Sequence, residues 1–159
     1  MAVYFFDSSG LVKRYVAEVG SGWVISLTDP AAGHRIYVAN IIAAEVPSAI
    51  NKRVRMGDVA AADATKAIAD FQNDFTNQYN PIQVTDTIIE NAATLTGKHK
   101  LRAYDAVQLA AALEVNRQIL ALGLPATVIL TLTLISADDD LNAAAAAEGI
   151  GVDDPRNHP

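Results

Sequence analysis

VYFFDSSGLVKRYV, residues 3–16, decides how the rest of the chain is read. Val3–Phe6 is a short run of β-branched and aromatic residues with no polar interruption, the pattern of a buried strand. Asp7 ends that run abruptly, and Ser8 or Ser9 then stands where a helix N-cap is expected. Leu11, Val12, Tyr15, Val16 and Val19 follow at helical spacing, which predicts one helix running on from the serines. A carboxylate closing so apolar a strand is the least ordinary acid in the chain.

The alternation of strand and helix continues outward. Ile36–Ala39 reads as a second strand, followed by a helix from about Ile42 to Val54 and a longer one over Ala60–Asn77, where Phe71 and Phe75 share a face. Ile82–Val84 follows Pro81 as a third strand. Thr85 or Asp86 then caps a helix that Gly97 ends. Lys98–Ala103 reads as a loop and Tyr104 to about Arg117 as a helix. Thr127–Ile135 is a strand, Asp138–Glu148 a helix, and Ile150–Val152 a last strand. Short strands separated by helices predict an α/β fold, with a central, mainly parallel sheet of four to five strands flanked by helices. No repeat or linker divides the chain, so one domain is expected over residues 1–155, with a short tail at 156–159.

Composition narrows the class. Of 159 residues, 51% are hydrophobic and 19% charged, which excludes a disordered or fibrous chain. The absence of cysteine excludes disulfide scaffolds, thiolate zinc sites and a cysteine nucleophile, and points to a reducing cytoplasm. MAVYFFDSS lacks the basic start of a signal peptide, and the longest apolar stretch, 119–135, is broken by Gly123, Pro125 and threonines, so no membrane span is expected.

Laid on this map, the acids are informative. Asp7 ends the first strand, and Glu45 lies early in the helix after the second. Asp105 opens the helix after the Lys98–Ala103 loop, and Asp138, Asp139 and Asp140 lead from a strand into a helix. In open α/β sheets ligands bind beyond the carboxyl ends of the strands, so these positions converge on one crevice. Taken singly, each acid is also a natural helix cap or dipole partner. Together they repel one another unless a cation is present, and a cluster without His or Cys suits a hard ion, Mg²⁺ or Mn²⁺, better than zinc.

At these residues the chain resembles a known family. VYFFDSSGLVKRYV, AAEVPSAI, LRAYDAVQLAAALE and ISADDDLNAAAAAEG, in that order, resemble the motifs of PIN-domain ribonucleases, and among them the VapC-type toxins of toxin–antitoxin pairs. The resemblance implies a PIN-like three-layer fold and a Mg²⁺- or Mn²⁺-dependent endoribonuclease that leaves a 5′-phosphate and a 3′-hydroxyl. By motif, Asp7, Glu45, Asp105 and Asp138 match the four acids of the site. Asp7, Asp105 and Asp138 are then the expected metal ligands, with Asp140 as an accessory acid. Ser8 and Ser136 match hydroxyls that orient the site, and Asp139 falls at a variable position. A cognate antitoxin, offering Arg or Lys to the crevice, is the partner the resemblance implies. Gly10 departs from the larger residue common in the family and is expected to weaken the helix start. Pro47 is harmless only within the first turn of its helix.

An acidic protein must still receive RNA. The chain carries 18 acidic and 12 basic residues, a net charge of −6, which argues against broad nonspecific nucleic-acid binding. The basic residues are clustered, however: Lys13 and Arg14, then Lys52, Arg53 and Arg55, then Lys98, Lys100 and Arg102. Lys13, Arg14 and above all Arg102, whose loop leads into Asp105, are the expected phosphate contacts. Lys52, Arg53 and Arg55 equally suit a helix C-terminus. Tyr104 is expected in the core, His34, His99 and His158 on the surface, and Trp23 in the core or at an interface, where a homodimer or antitoxin docks. The competing class is a non-catalytic binding module of the same fold. Phosphoacceptor domains and aspartyl-phosphate phosphatases fit poorly, because Ser8 and Ser9 stand where they carry a further acid.

Overall fold

The structure, a computed structural model, describes residues 1–122 and 131–159. Its strands are β1 (Val3–Phe6), β2 (Arg35–Ala39), β3 (Asn80–Ile82), β4 (Leu132–Ile135) and β5 (Gly151–Asp153). Between and beyond them lie α1 (Ser8–Leu11), α2 (Ser21–Leu27), α3 (Ile42–Met56), α4 (Ala61–Asn77), α5 (Asp86–Lys98), α6 (Ala103–Ala121) and α7 (Asp139–Ala147). All strand pairs are parallel, and the order across the sheet is β3-β2-β1-β4-β5.

Strand alternation sorts side chains onto two faces. Val3, Phe5, Leu132 and Leu134 point to one, where they pack with Leu95, Leu109, Val115 and Leu141 of α5, α6 and α7. Phe6, Ile36, Val38 and Ile135 point to the other, against Leu11, Ile42, Ile50 and Phe71 of α1, α3 and α4. The result is the expected three-layer α/β architecture. The chain winds from β1 to β2 and β3 on one side, then returns to place β4 and β5 on the other. The reversal lies between β1 and β4, the place where an open α/β sheet leaves a crevice at its strand ends.

Several elements differ from the sequence reading, each for a local reason. The helix expected to run from the serines to Val19 stops early: α1 tightens into a 3-10 turn at Val12–Arg14. Lys13 folds back to donate to the Val19 carbonyl at 3.0 Å, which turns the chain and leaves Val19 58% exposed. The cap of α1 is Asp7 itself, accepting from the Gly10 N–H at 2.8 Å, and neither serine takes that role. β3 begins at Asn80 and includes Pro81, because an edge strand tolerates a missing N–H. Gly97 does not end α5, which continues to Lys98 with no left-handed residue at its end. Pro47 lies inside α3, beyond its first turn, and leaves the carbonyl of exposed Ala43 to solvent. Of the strand expected over 127–135, residues 127–130 lie outside the described residues and the pairing covers Leu132–Ile135.

The chain end is tied down. Residues 155–157 form a 3-10 turn, and the His158 ring stacks on Trp23 with centroids 3.9 Å apart. The other histidines are also engaged: His99 meets Glu148 at 2.6 Å and His34 accepts from the Ala2 N–H at 3.2 Å. None of the three is a free surface residue. No helix among the described residues is long and apolar enough to cross a membrane.

Candidate active site

The crevice is built from the strand ends inward. Asp7 follows β1 directly, and its carboxylate turns back over the start of α1. It is only 4% exposed and accepts from the Ser9 hydroxyl at 2.9 Å as well as from Gly10. Gly10 is required there, since a Cβ at that position collides with the Ile135 carbonyl. The expected weakness at the helix start is therefore a close approach between α1 and β4. Across the switch point, Ser9 Oγ accepts from the Ala137 N–H at 2.9 Å and lies 3.3 Å from Ser136 Oγ. Ser136 in turn accepts from the Asp138 N–H at 3.1 Å, and Asp138 caps α7. Hydroxyls thus lock the loops after β1 and β4 to each other.

The remaining acids arrive on helices. Glu45, in the first turn of α3, accepts from Gln108 Nε2 at 2.5 Å. Asp105 lies in the first turn of α6, one helical turn before Gln108. Arg102, 80% exposed along its side chain, reaches Asp105 at 2.9 Å and Asp138 at 3.2 Å and so ties α6 to the β4 end. Lys100 pairs with Asp140 at 3.0 Å on the rim. His99, Lys100, Arg102, Asp105, Asp138 and Asp140 line a cavity of about 370 Å³ beside the acids.

The electrostatics are unbalanced. Burial pushes the Asp7 carboxyl up to about 6, although the Gly10 N–H and the hydroxyls of Ser9 and Ser136 act against the shift. Burial is also the main cause that raises Glu45 to about 7, with the charges of Asp7 and Asp105 adding to it and the hydrogen bonds of Gln108 and Ser8 opposing it. Among the described residues no three carboxylate or imidazole groups already stand together as one ion site. Arg102 is the cation that now bridges two of the acids. The donor set of carboxylates and hydroxyls fits a hard divalent cation, whose charge would relieve the shifts on Asp7 and Glu45.

Of the residues named from sequence, Asp7, Ser8, Glu45, Arg102, Asp105, Ser136 and Asp138 come together here, and Asp140 stands at the edge. Lys13 and Arg14 do not. Lys13 is 4% exposed and held by Glu18 at 3.1 Å, and Arg14 donates to Asp74 at 2.9 Å and to Thr28 at 2.8 Å. Neither is free for phosphate. Arg53 is drawn to Glu18 at 3.1 Å, whereas Lys98 pairs with Glu148 at 2.6 Å. Tyr104, expected in the core, is 63% exposed beside Asp105.

Sequence reasoning missed Ser9, Gln108 and Asn142, whose side-chain amide donates to the Ser136 carbonyl at 2.9 Å. Gln108 carried a signal: it is the one polar residue in the run AVQLAAA. Ser9 and Asn142 carried none, since a serine and an asparagine near helix starts are ordinary.

No family model matches the chain. Two curated relatives do, Ribonuclease VapC45 and Ribonuclease VapC49 of Mycobacterium tuberculosis, strains CDC 1551 / Oshkosh and H37Rv. Each is 31% identical over 116 residues, which is 73% of this chain and 78% of the relative. Among solved structures, the chain resembles VapBC2 from Rickettsia felis, bound to a DNA fragment from its promoter, with a TM-score of 0.60 and 11% identity over 96% of this chain and 98% of that one. It also resembles Mycobacterium tuberculosis VapC20, described as a sarcin-ricin loop cleaving toxin, with a TM-score of 0.60 and 16% identity over 92% and 95%. The structural likenesses carry the fold, and the identity and coverage of the two curated relatives carry the kinship: the chain belongs to the VapC family of PIN-domain ribonucleases.

Proposed function

We propose that the protein is a Mg²⁺- or Mn²⁺-dependent endoribonuclease acting as the toxin of a toxin–antitoxin pair. One observation supports the reading: Asp7 and Asp105 lie close enough for their charges to act on Glu45, Asp138 is tied to Asp105 through Arg102, and burial holds Asp7 and Glu45 above their ordinary range. The ribonuclease names of the curated relatives and the RNA-cleaving description of VapC20 support the substrate class.

Asp7, Asp105 and Asp138 are the residues that would hold the ion, with Asp140 as an outer acid. An ion held there would supply Lewis-acid polarisation of the phosphodiester and a lower pKa for water. Ser9 and Ser136 fix the carboxylates of the β1 and β4 loops, and Ser8 bonds Glu45 on α3. Glu45 takes a proton from the attacking water, a role suited to a carboxyl near 7. Attack at phosphorus breaks the bond to the 3′ oxygen, which takes a proton from solvent, and leaves a 5′-phosphate and a 3′-hydroxyl. Arg102, released from the acids, neutralises the phosphate, and Lys100 extends the basic rim. The VapBC2 assembly supports an antitoxin as partner. A homodimer is part of the same proposal, read out by light scattering.

The deciding experiment incubates purified protein with mixed single-stranded RNA under Mg²⁺, Mn²⁺ or EDTA, beside an Asp7→Asn/Asp105→Asn variant. Metal-dependent cuts that vanish in the variant establish the activity. A folded, antitoxin-free protein that leaves several RNAs intact, tRNA included, overturns it in favour of a binding module.

A further inference from the structure

On α6, residues Ala106 to Ala112 are all buried, and all but Gln108 are apolar. Gln108 is 2% exposed, and among the described residues its Oε1 has no hydrogen-bond partner. A buried amide with one unpaired end is an expensive choice, because methionine fills nearly the same volume with no polar atom to desolvate. Nothing in the packing of α6 against the sheet needs the amide. Among the described residues its single side-chain hydrogen bond is the 2.5 Å contact from Nε2 to Glu45 Oε2, joining α6 to α3 across 63 residues of sequence. The same helix carries Asp105 one turn earlier, so one rigid element sets two acids relative to each other.

We infer that Gln108 is a positioning residue for the hydrolysis, holding the Glu45 carboxylate in the orientation from which it takes the proton of the attacking water. The inference rests on the ribonuclease reading and assigns the orientation of its base. Glu45 is only partly buried and sits near the start of α3, whose first turn lacks a side-chain cap. Without the amide its carboxylate turns among its rotamers toward solvent and away from Asp7 and Asp105. Gln108 also opposes the burial that drives Glu45 toward its neutral form. A supporting amide of this kind affects activity by about 10–100-fold when it orients a site group.

Gln108→Met tests this in the full chain, with Mg²⁺ or Mn²⁺ and single-stranded RNA. The expected result is a kcat about ten- to a hundredfold lower, an unchanged KM for RNA, and a melting temperature equal to or above that of the parent. The acidic limb of the kcat–pH profile moves to higher pH. In a Glu45→Gln background, Gln108→Met has no further effect on the residual rate, because the two act as one unit. An unchanged kcat overturns the inference, as does a loss of the same factor with and without Glu45. Should the methionine variant fail to fold, Gln108→Glu keeps the shape and removes the donor at neutral pH. Its kcat is expected to fall at pH 8 and partly recover at pH 6, and no fall at pH 8 overturns the inference. A parent that cuts, loses activity in Glu45→Gln and ignores both Gln108 variants sinks this inference alone. A parent inactive under every metal sinks the ribonuclease reading itself.

Discussion

The polar cluster around Arg14 and the acidic crevice are built to opposite rules. Around Arg14, on the α4 side of the sheet, every charge is answered. Arg14 donates to Asp74 and Thr28, Tyr15 donates to Asp74, and the Tyr15 and Tyr79 hydroxyls meet at 2.5 Å. Burial is the main cause that raises both tyrosines, Tyr79 to about 12 against the opposing Tyr15 hydrogen bond and Arg14 charge, so they stay neutral donors beside the ion pair. At the crevice the balance is withheld. Among the described residues Asp7 is buried with no cation in contact, Glu45 faces two other acids, and Gln108 keeps an unpaired oxygen. A closed network contributes stability, whereas an open one stores electrostatic free energy that a ligand releases.

The sharpest way to break this contrast is to disarm each cluster in turn. Asp105→Asn is expected to lower RNA cleavage by about 10²–10⁴-fold while changing the melting temperature little, as measured by product formation under saturating Mg²⁺. Asp74→Ala should do the reverse. With side-chain exposures of 17% and 9%, Arg14 and Asp74 form a buried pair, and removal of one partner costs about 3 kcal/mol or more. Urea melts read that loss, and cleavage per folded molecule should equal that of the parent at low temperature. A large loss of cleavage there, at full folding, erases the division between the two clusters.

The same contrast has a pH signature. Asp7 titrates near 3.8 when unfolded and about 6 when folded. Between those values the folded state keeps a proton that the unfolded state has released, so stability falls as pH rises. The penalty is absent below the lower value and complete above the upper one, where the gap amounts to about 3 kcal/mol. In EDTA, Asp7→Asn should therefore be more stable than the parent at pH 7.5, by about 1–3 kcal/mol, and equal to it near pH 4. Mg²⁺ should stabilise the parent and not the variant. Identical urea midpoints for the two proteins across this range refute the stored strain.

How much of this was legible in the sequence depends on the range of the interaction. The parallel sheet was legible, because Val3–Phe6, Ile36–Ala39 and Leu132–Ile135 carry their burial in their own composition. The placement of Asp7 and Asp138 was legible for the same reason, since strand ends fix position, whereas Glu45 and Asp105 arrive on helix starts. The fate of Lys13 and Arg14 was not. Their partners, Glu18 with the Val19 carbonyl and Asp74 with Thr28, are set by a turn and by a helix 60 residues away. Gly10 was misread as a weakness, because the carbonyl it admits belongs to β4. Side-chain function that depends on one neighbouring residue type is written locally, and function that depends on a cross-sheet partner is not.

The smallest expected effect concerns Arg102, the cation that bridges two acids of the open cluster. Arg102 is exposed and shared by Asp105 and Asp138, so its pairs are screened by solvent and contribute little to the fold. Its charge matters when a phosphate replaces the acids as its partner. Arg102→Ala should leave the melting temperature within error and weaken binding of single-stranded RNA a few-fold. The slope of log affinity against log salt should fall by about 0.7, the share of one phosphate contact on a single strand. Lys13→Ala, by contrast, should leave that slope unchanged and lower the melting temperature, because its ammonium already lies between Glu18 and the Val19 carbonyl. A slope that responds to Lys13 and not to Arg102 places the RNA path on the opposite side of the switch point.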